Sequence, residues 1–328
     1  MRAFIIEETG DVATWGVREY ESAATQPSDV LVKVEFSGVN FKDAMVAASP
    51  SRIRRSSRLV GGVDAAGIVM ESADPVFRVG TRVAVHGGDL GVGRDGGFGD
   101  FVYAPTAYLS ALPDTISTRS AMIIGTAGFT AMASVLALEH RELDRDGEIL
   151  VTGATGGVGS FAVTLLAARG YRVVASTGAV SQAAWLRERG AERIISRTEI
   201  SERPDRVLDA ERWAGAIDCI GGDTLHQILR SLRYGASVAA SGLVAGSQLT
   251  TTVYPFITRA VNLLGIDAVQ ATSKTRDEVW STLGTLAPTL NFEPLTDRVV
   301  SLDGIEAALE VVRSGATRGR ILVDLATI

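Results

Sequence analysis

The pattern of hydrophobic and polar positions divides the chain into three stretches. Residues 1 to about 120 contain short runs rich in β-branched and aromatic residues, separated by Gly, Pro or Asp, and such runs predict strands. The clearest runs are Arg2–Glu7, Val30–Phe36, Gly67–Met70, Arg82–Val85 and Phe101–Tyr103. Between Ser117 and Glu139 the apolar residues take helical spacing, which predicts two helices separated near Gly125 and Thr126.

Strand-like and helix-like segments alternate in the second stretch, from Glu148 to about Asp267. Such alternation predicts a parallel sheet with helices on both faces. Residues 268–328 return to a mixed pattern, with an amphipathic helix near Leu302–Arg313 and a closing strand at Gly319–Asp324. We therefore predict an α/β protein. We expect a doubly wound domain, residues 121–267, inserted into a discontinuous β-rich domain formed by residues 1–120 and 268–328.

The segment Glu148–Ser160, EILVTGATGGVGS, carries the strongest chemical signal. A short apolar strand leads into a glycine-rich turn, and the residues of Phe161–Arg169 then take helical spacing. The dinucleotide fingerprint, with alanine at its first glycine, comprises Ala154, Gly156, Gly157, Val158 and Gly159. Gly156 would let the backbone approach a pyrophosphate, whose charge the helix N-terminus would hold, and Gly159 would let helix and strand pack closely. A lone glycine triplet also occurs in ordinary tight turns, but the strand–turn–helix–strand context favours a dinucleotide.

The end of the next strand indicates which dinucleotide is bound. NAD-selective sites usually carry an Asp or Glu about twenty residues after the turn, where it bonds the ribose 2′-hydroxyl. Here the strand ends in Ser176, Thr177, Gly178 and Ala179, without a carboxylate, so small hydroxyl side chains leave room for a 2′-phosphate and NADPH is favoured. Arg197 is our candidate partner of that phosphate. The alternative is a solvated arginine at a strand end.

Composition and charge exclude several classes of function. The chain has 328 residues, is 46% hydrophobic and carries a net charge of −6 with both signs spread along it, so a nucleic-acid surface is not expected. No apolar run reaches the roughly eighteen residues of a membrane span, and the N-terminus lacks the apolar region of a signal peptide. The single cysteine, Cys219, excludes an internal disulfide and favours the cytoplasm.

Six segments make the chain similar, nearly end to end, to one enzyme superfamily. They are Ser37–Asp43, Gly62–Gly67, Gly125–Ala131, the fingerprint, Trp213–Asp218 and Pro255–Arg259. Together they resemble the medium-chain dehydrogenase/reductase superfamily, its zinc-free quinone-oxidoreductase branch and, within it, the acryloyl-CoA reductase group. The resemblance implies a GroES-like catalytic domain, a Rossmann domain, a small-molecule substrate and a homodimer.

The resemblance also bears on metal binding. Zinc alcohol dehydrogenases of this superfamily carry a cysteine at the position of Asn40, a histidine at that of Val63 and a second cysteine near Gly125, and this chain has none of them. Its three histidines have no ligand spacing and are better explained as core or surface residues: His86, His140 and His226. We therefore predict no metal and a zinc-independent reaction.

Without a Lewis acid, an enzyme of this superfamily loses its means of stabilising an alkoxide, and reduction of a conjugated C=C bond needs less. Hydride from NADPH would add to the β-carbon of an enone or enoyl thioester, after which the enolate oxygen needs donors and the α-carbon a proton. We expect Asn40 to donate near the carbonyl or the nicotinamide ribose, the alternative being an asparagine that caps a turn. Phe41 stands where close relatives carry tyrosine, so a hydroxyl is lost. Asp43 completes the candidate catalytic residues, as an acid or by positioning Lys42 or a backbone turn.

The resemblance further implies residues near the nicotinamide: Thr126, Thr130, Leu243, Ile257 and Ala268. For the threonines the alternative is a helix hydroxyl bonded to its own preceding turn, and for the apolar residues it is the core. Relatives commonly carry an arginine where this chain has Ala179, so the NADPH preference would rest on Arg197 and Ser176.

A basic segment, SRIRRSSR, lies between two of the matching segments. Its four arginines are Arg52, Arg54, Arg55 and Arg58. Guanidinium groups suit the phosphates of a coenzyme A (CoA) thioester, and the alternative is a solvated loop. Our leading prediction is an NADPH-dependent reductase of a short enoyl-CoA such as acryloyl-CoA. A quinone or enone reductase is the runner-up, and a third possibility is a binding protein that kept NADPH and lost the chemistry.

Overall fold

The computed structural model describes residues 1–10, 12–21, 26–201 and 206–326, which form two compact units. Residues 1–129 and 268–328 form the first, which we call the β-rich unit. Residues 130–267 form the second, which we call the parallel-sheet unit. Residues 130–267 thus lie in the sequence between the two segments of the β-rich unit, and the predicted range for this insertion was 121–267.

The strands of the described residues, in chain order, are β1 (Arg2–Thr9), β2 (Val12–Glu19), β3 (Val30–Val39), β4 (Arg58–Val60), β5 (Asp64–Glu71), β6 (Arg82–His86), β7 (Phe101–Ala104), β8 (Leu109–Ala111), β9 (Glu148–Val151), β10 (Arg172–Thr177), β11 (Ala191–Ser196), β12 (Trp213–Asp218), β13 (Leu232–Ala240), β14 (Asn262–Gly265), β15 (Thr296–Val300) and β16 (Arg320–Asp324). The helices are α1 (Phe41–Ala47), α2 (Thr118–Glu139), α3 (Gly157–Ala168), α4 (Ala183–Glu188), α5 (Thr198–Ser201), α6 (Gly222–Ser231), α7 (Tyr254–Arg259), α8 (Ser273–Leu286) and α9 (Ile305–Arg313).

The β-rich unit is built on two sheets. Three strands pair in the order β2-β1-β4, and a larger sheet runs β15-β16-β3-β5-β6-β8, with β7 also pairing with β3. Apart from the parallel pair β15–β16, neighbouring strands are antiparallel. Apolar side chains of β1, β3, β5 and β6 share one core with helices α1 and α9. The candidate catalytic residues Asn40, Phe41 and Asp43 lie where β3 leads into α1, next to this core.

The parallel-sheet unit has the strand order β11-β10-β9-β12-β13-β14, and every neighbouring pair is parallel. The predicted doubly wound sheet is confirmed. Its strands are almost wholly apolar because both faces are covered, and Ile149 and Leu150 of β9 are completely buried. The order reverses between β9 and β12, which is the switch point where sheets of this kind bind nucleotides.

The two helices predicted between Ser117 and Glu139 form one helix, α2, with a kink between them. It is continuous except for a kink at Gly125, whose φ of 49° and ψ of −162° lie outside the helical range, so the predicted break is real. By length and composition alone α2 could cross a membrane, contrary to the expectation that no segment is apolar enough, but 83% of its apolar window is buried inside the protein. That burial is typical of a core helix.

Several strands gave no clear signal in the sequence. In β2 only Ala13 is buried, so its side chains show no apolar alternation, and β4 and β8 have three residues each. The predicted amphipathic helix starts later than expected, at Ile305, because a single turn of 3₁₀-helix occupies Leu302–Gly304. The closing strand is β16.

Candidate functional site

Asp64, the first residue of β5, is the centre of a buried hydrogen-bond network in the β-rich unit. Its carboxylate accepts from the side-chain amide of Asn40 at 2.8 Å, and from the hydroxyl and backbone N–H of Thr126 at 2.6 and 3.0 Å. The Thr126 N–H points to the carboxylate because Gly125 breaks the helix just before it, as the N–H groups at a helix start lack partners within the helix. The kink in α2 thus supplies two donors to Asp64.

Arg320, the first residue of β16, supplies the positive charge of this network. Its Nη2 lies 3.3 Å from Asp64, its Nη1 donates to the side-chain carbonyl of Asn40 at 2.8 Å, and its Nε donates to the backbone carbonyl of Ile123 at 3.1 Å. Gly38 and Gly125 make room for the guanidinium, since a Cβ at either position would lie 2.6 Å from Nη2. Burial lowers the pKa of Arg320, an effect that the charge of Asp64 opposes.

Asp43 adds a second carboxylate, on the first turn of α1. One oxygen accepts from the N–H of Asn40 at 2.7 Å and the other from the N–H of Val63 at 2.8 Å. The first bond caps the start of the helix, as predicted for a positioning role. Burial and the nearby charge of Asp64 together raise the pKa of Asp43 to about 7, although the two backbone donors oppose the shift.

The other two candidate catalytic residues, Asn40 and Phe41, lie three and two positions before Asp43. Both amide hydrogens of Asn40 are donated within the network, to Asp64 and to the carbonyl of Gly38 at 3.2 Å, so donation to a substrate requires one of these bonds to be released. Phe41 opens α1 with its ring 39% exposed. The structure therefore brings Asn40, Phe41 and Asp43 together at one helix start, where Asn40 and Asp43 lie close to Asp64.

A pocket of about 310 Å³ lies beside α1, within the β-rich unit. The residues that line it include four cations and no acid: Lys42, Arg52, Ile53, Arg54, Arg55, Gly88, Val92, Val269 and Gln270. We call it the basic pocket. Its loop is fixed by a backbone bond from the N–H of Arg55 to Val92, at 2.8 Å. Lys42 was not predicted to bind substrate, although its place next to Phe41 in the sequence is a signal that could have suggested it.

The four predicted substrate-binding arginines differ in their surroundings. Arg54 points inward: its side chain is 1% exposed, its Nη2 forms an ion pair with Glu8 at 2.7 Å, and its Nη1 donates to the carbonyl of Val46 at 2.6 Å. Arg52 and Arg55 are exposed, and among the described residues their guanidinium groups have no hydrogen-bond or ion-pair partner. Arg58 lies outside the pocket and pairs with Glu7 at 2.7 Å. The structure thus brings three of the four together.

The fingerprint forms the turn from β9 to α3 in the parallel-sheet unit. Gly156 is the N-cap of α3, so the free N–H groups of Gly157, Val158 and Gly159 begin the helix at the end of β9. Gly153 has a φ of +59°, and a Cβ on Gly159 would lie 2.3 Å from its carbonyl oxygen. Only glycine at position 159 permits this approach. The arrangement is the one that holds a pyrophosphate in dinucleotide-binding sheets.

The end of β10 brings together the residues predicted to select NADPH. Ser176 and Thr177 are buried, and Thr177 bonds the neighbouring Thr155 through their hydroxyls at 3.3 Å. The guanidinium of Arg197 packs against Gly178, where a Cβ would lie 2.2 Å from Nη2. Arg197 itself is exposed and, within the part of the chain that the structure describes, has no side-chain hydrogen bond or ion pair. It is free to bind an anion at the end of β10.

Comparison with known proteins decides the family. Residues 26–114 match the family described as alcohol dehydrogenase GroES-like domain, and residues 157–284 match zinc-binding dehydrogenase. The acrylyl-CoA reductase AcuI of Ruegeria pomeroyi is 38% identical over 320 residues, which cover 97% of this chain and 96% of AcuI. The chain belongs to the medium-chain dehydrogenase/reductase superfamily. Within it, the chain belongs to the zinc-free group of quinone oxidoreductases and acryloyl-CoA reductases, as predicted.

Two solved structures of this superfamily extend the similarity. The yhdH oxidoreductase of Salmonella enterica, in complex with NADP, has a TM-score of 0.94 and 39% identity over 99% of this chain and 100% of its own. The yhfP protein of Bacillus subtilis, with NAD bound, has a TM-score of 0.94 and 40% identity over 99% of both chains. The predicted combination of a GroES-like with a Rossmann domain is therefore confirmed.

The positions that hold zinc in zinc-dependent members of the superfamily are brought together here by Asp64. Asn40 donates to it, Val63 precedes it, and Gly125 packs against it, where a Cβ would lie 2.6 Å from its Oδ2. Among the described residues there is no group of three or more His, Cys, Asp or Glu side chains that could hold a metal ion. His86 is buried against the ring of Phe129, with the ring centroids 4.6 Å apart.

Asp218, at the end of β12, is a functional candidate that the sequence did not single out. Its carboxylate accepts from the Thr152 hydroxyl at 2.6 Å and from the Gly221 N–H at 2.8 Å, so it joins the loops after β9 and β12. Burial raises its pKa. An acid at the carboxyl end of a buried parallel strand was the available signal. It lies at the carboxyl end of β12, next to the switch point between β9 and β12.

The remaining predicted cofactor residues have diverse surroundings. Thr130 is buried in α2, and its carbonyl accepts from the hydroxyl of Ser134 at 2.7 Å. Leu243 and Ile257 are exposed in the parallel-sheet unit, and Ala268 is buried in the β-rich unit. Exposure of two large apolar side chains suits a ligand-facing surface better than a core. The contacts of these residues with nicotinamide stay a prediction.

Proposed function

We propose that the protein is an NADPH-dependent, zinc-independent reductase of the C=C bond of a short enoyl thioester, of the acryloyl-CoA type. The observation that carries the proposal is the basic pocket, where Arg52 and Arg55 lack an acidic partner. CoA carries a diphosphate and a 3′-phosphate, whereas a quinone offers no such charge. The similarity to AcuI of Ruegeria pomeroyi, which is named an acrylyl-CoA reductase, supports the same substrate class.

For the cofactor, we propose NADP(H), with its pyrophosphate at the start of α3 and its 2′-phosphate on Arg197. The free guanidinium beside Gly178 and the lack of a carboxylate at the end of β10 support this choice. The hydroxyls of Ser176 and Thr177 lie at the same strand end. The NADP complex of the yhdH oxidoreductase supports it as well.

In the proposed reaction, NADPH supplies a hydride that adds to the β-carbon of the enoyl thioester, and the α-carbon receives a proton. The charge that develops on the thioester oxygen needs a donor, and we assign this role to the amide of Asn40 after it releases the carbonyl of Gly38. The contacts of Asp43 favour positioning of Asn40 over direct proton donation, because both its oxygens accept backbone N–H groups. Phe41 has no proton to give, so the proton comes from solvent.

The first test follows NADPH oxidation by absorbance with acryloyl-CoA, crotonyl-CoA and benzoquinone in parallel. We expect rapid turnover of a CoA thioester, with the KM for it raised about tenfold or more by the double variant R52A/R55A, since charged hydrogen bonds contribute about 1.5–3 kcal/mol each. The variant R78A/R313A removes two exposed arginines of the same unit that lie outside the pocket and should leave KM unchanged.

Turnover of benzoquinone without either thioester would replace the proposal by the quinone-reductase alternative. Tight NADPH binding with no turnover of any of the three would favour the binding-protein alternative. Equal effects of the two double variants would assign Arg52 and Arg55 to a solvated surface.

We also propose that the protein is a homodimer. β14 is an edge strand of the parallel sheet, and edges offer unpaired backbone groups to a second chain. Leu263 on this strand and Tyr234 at the start of β13 are exposed apolar residues. Sedimentation velocity should give the mass of a dimer for the wild type and of a monomer for L263K. A monomeric wild type would refute this proposal.

A further inference from the structure

Helix α1 connects the basic pocket with the Asp64 network. At its start, Asn40 and Asp43 are bonded to the network, while Lys42, which lies between them in the sequence, lines the pocket. The helix has only seven residues, and helices this short are marginal without tertiary contacts. Its position therefore depends on the core contacts of Ala44, Val46 and Ala47 and on what holds its two ends.

The other end of α1 is bonded to the loop that carries the pocket arginines. The Nη1 of Arg54 donates to the carbonyl of Val46 at 2.6 Å, and the hydroxyl of Ser51 donates to the carbonyl of Met45 at 2.9 Å. Arg54 is in turn fixed by its ion pair with Glu8 on β1. Arg52 and Arg55 thus extend from a loop that is bonded to the last turn of α1, so a ligand held by these two arginines is coupled to the helix through those bonds.

We infer that a phosphorylated group in the basic pocket promotes the reduction as well as anchoring the substrate, by fixing α1 and with it Asn40. This inference rests on the proposed function. Binding energy from a remote part of a substrate raises turnover when it holds a reacting group in place. The nucleotide end of CoA is such a part, because it takes no part in the bonds that form or break.

The test separates the two parts of the substrate. Acryloyl-N-acetylcysteamine carries the reacting thioester without phosphates. Adenosine 3′,5′-bisphosphate carries the 3′-phosphate of CoA and one of the two phosphates of its diphosphate, without the thioester. With NADPH kept saturating, we expect the bisphosphate to raise kcat/KM for the truncated thioester about fivefold or more, the lower range of measured coupling between sites. The same compound should inhibit turnover of acryloyl-CoA, with which it competes for the basic pocket.

Variants assign both effects to the pocket. R52A/R55A should lose the activation and the inhibition together, and R78A/R313A, which matches its loss of charge, should keep both. All four arginines are exposed, so both variants should fold, and thermal melting checks this.

Inhibition of acryloyl-CoA turnover without activation of the truncated thioester would overturn the inference, since the pocket would then be an anchor alone. Absence of both effects, with acryloyl-CoA still turned over, would overturn it by placing the phosphates elsewhere. Activation that survives in R52A/R55A would have the same consequence. Failure of either thioester to react at all would overturn the proposed function, and this inference with it.

Discussion

Replacing Arg197 by alanine tests the cofactor assignment most directly. The guanidinium lies against Gly178 at the end of β10, without a partner among the described residues, so the substitution removes a charge and no internal bond. A hydrogen bond to a charged group contributes about 1.5–3 kcal/mol, and exposure of Arg197 to solvent puts the value at the lower end. About 1.4 kcal/mol corresponds to a tenfold change in affinity, so we expect the Kd for NADPH to rise about tenfold.

The assay measures Kd for NADPH and for NADH by the change in nicotinamide fluorescence on titration. NADH lacks the 2′-phosphate, so its Kd should not change in R197A. G178A gives an independent measure, because its Cβ would occupy the place of the guanidinium and displace Arg197 without removing the charge. It should weaken NADPH in the same direction. R187A, an exposed arginine of α4, controls for the loss of one positive charge.

Equal weakening of NADPH and NADH by R197A would refute the reasoning, because the arginine would then act on the fold or on the shared part of the dinucleotide. An unchanged Kd for NADPH would refute it as well. In that case the selectivity would have to come from Ser176 and Thr177 alone.

Three further predictions concern the β-rich unit. R320M should lower the free energy of unfolding by about 3–5 kcal/mol in urea denaturation, since it leaves the charge of Asp64 buried and without its ion-pair partner. R320K keeps the charge and should lower the free energy of unfolding less. Equal losses in the two variants would show that the positive charge is not what stabilises the network. The wild-type kcat should fall as the pH rises through about 7, where Asp43 loses its proton, and D43N should flatten this profile; a fall of the same shape in D43N would exclude Asp43. Burial lowers the pKa of His86 to about 3 against about 6.5 in the unfolded chain, so stability is lost as the pH falls below 6.5, by about 1.5 kcal/mol at pH 5. Urea denaturation at pH 6.5 and at pH 5 should show a smaller loss of stability for H86Q than for the wild type. An equal loss would assign the effect to other groups.

The parallel sheet could be predicted because its strands are covered on both faces and therefore read as continuous apolar runs between glycine-rich turns. β2 could not, because a strand on the edge of a small sheet with one buried residue, Ala13, has almost no apolar pattern. The kink in α2 could be predicted from Gly125, but the hydrogen bond that it makes possible, from the Thr126 N–H to Asp64, could not. That the freed N–H of Thr126 meets a carboxylate depends on where β5 ends.

Candidate cofactor residues could be chosen from the sequence because most of them follow one another within a single strand–turn–helix–strand unit. The ion pair between Asp64 and Arg320 could not be predicted, because 256 positions separate the two residues and only the fold joins them. The basic segment shows a related limit. Arg52, Arg54 and Arg55 look alike in the sequence, yet Arg54 turns inward to Glu8 while the other two face solvent, since the direction of a loop side chain depends on neighbours from distant strands.

The net charge of the Asp64 network bears on how the network would act in the proposed reduction. Asp64 and Arg320 neutralise each other, so the network is neutral when Asp43 is protonated and carries one negative charge when it is ionised. Because burial and the charge of Asp64 raise the pKa of Asp43 to about 7, both forms are present near neutral pH. On the proposed mechanism, negative charge develops on the thioester oxygen beside Asn40, and the neutral form opposes this charge less than the ionised one. The ion pair with Arg320 thus leaves the ionisation of Asp43 as the event that sets the charge of this network.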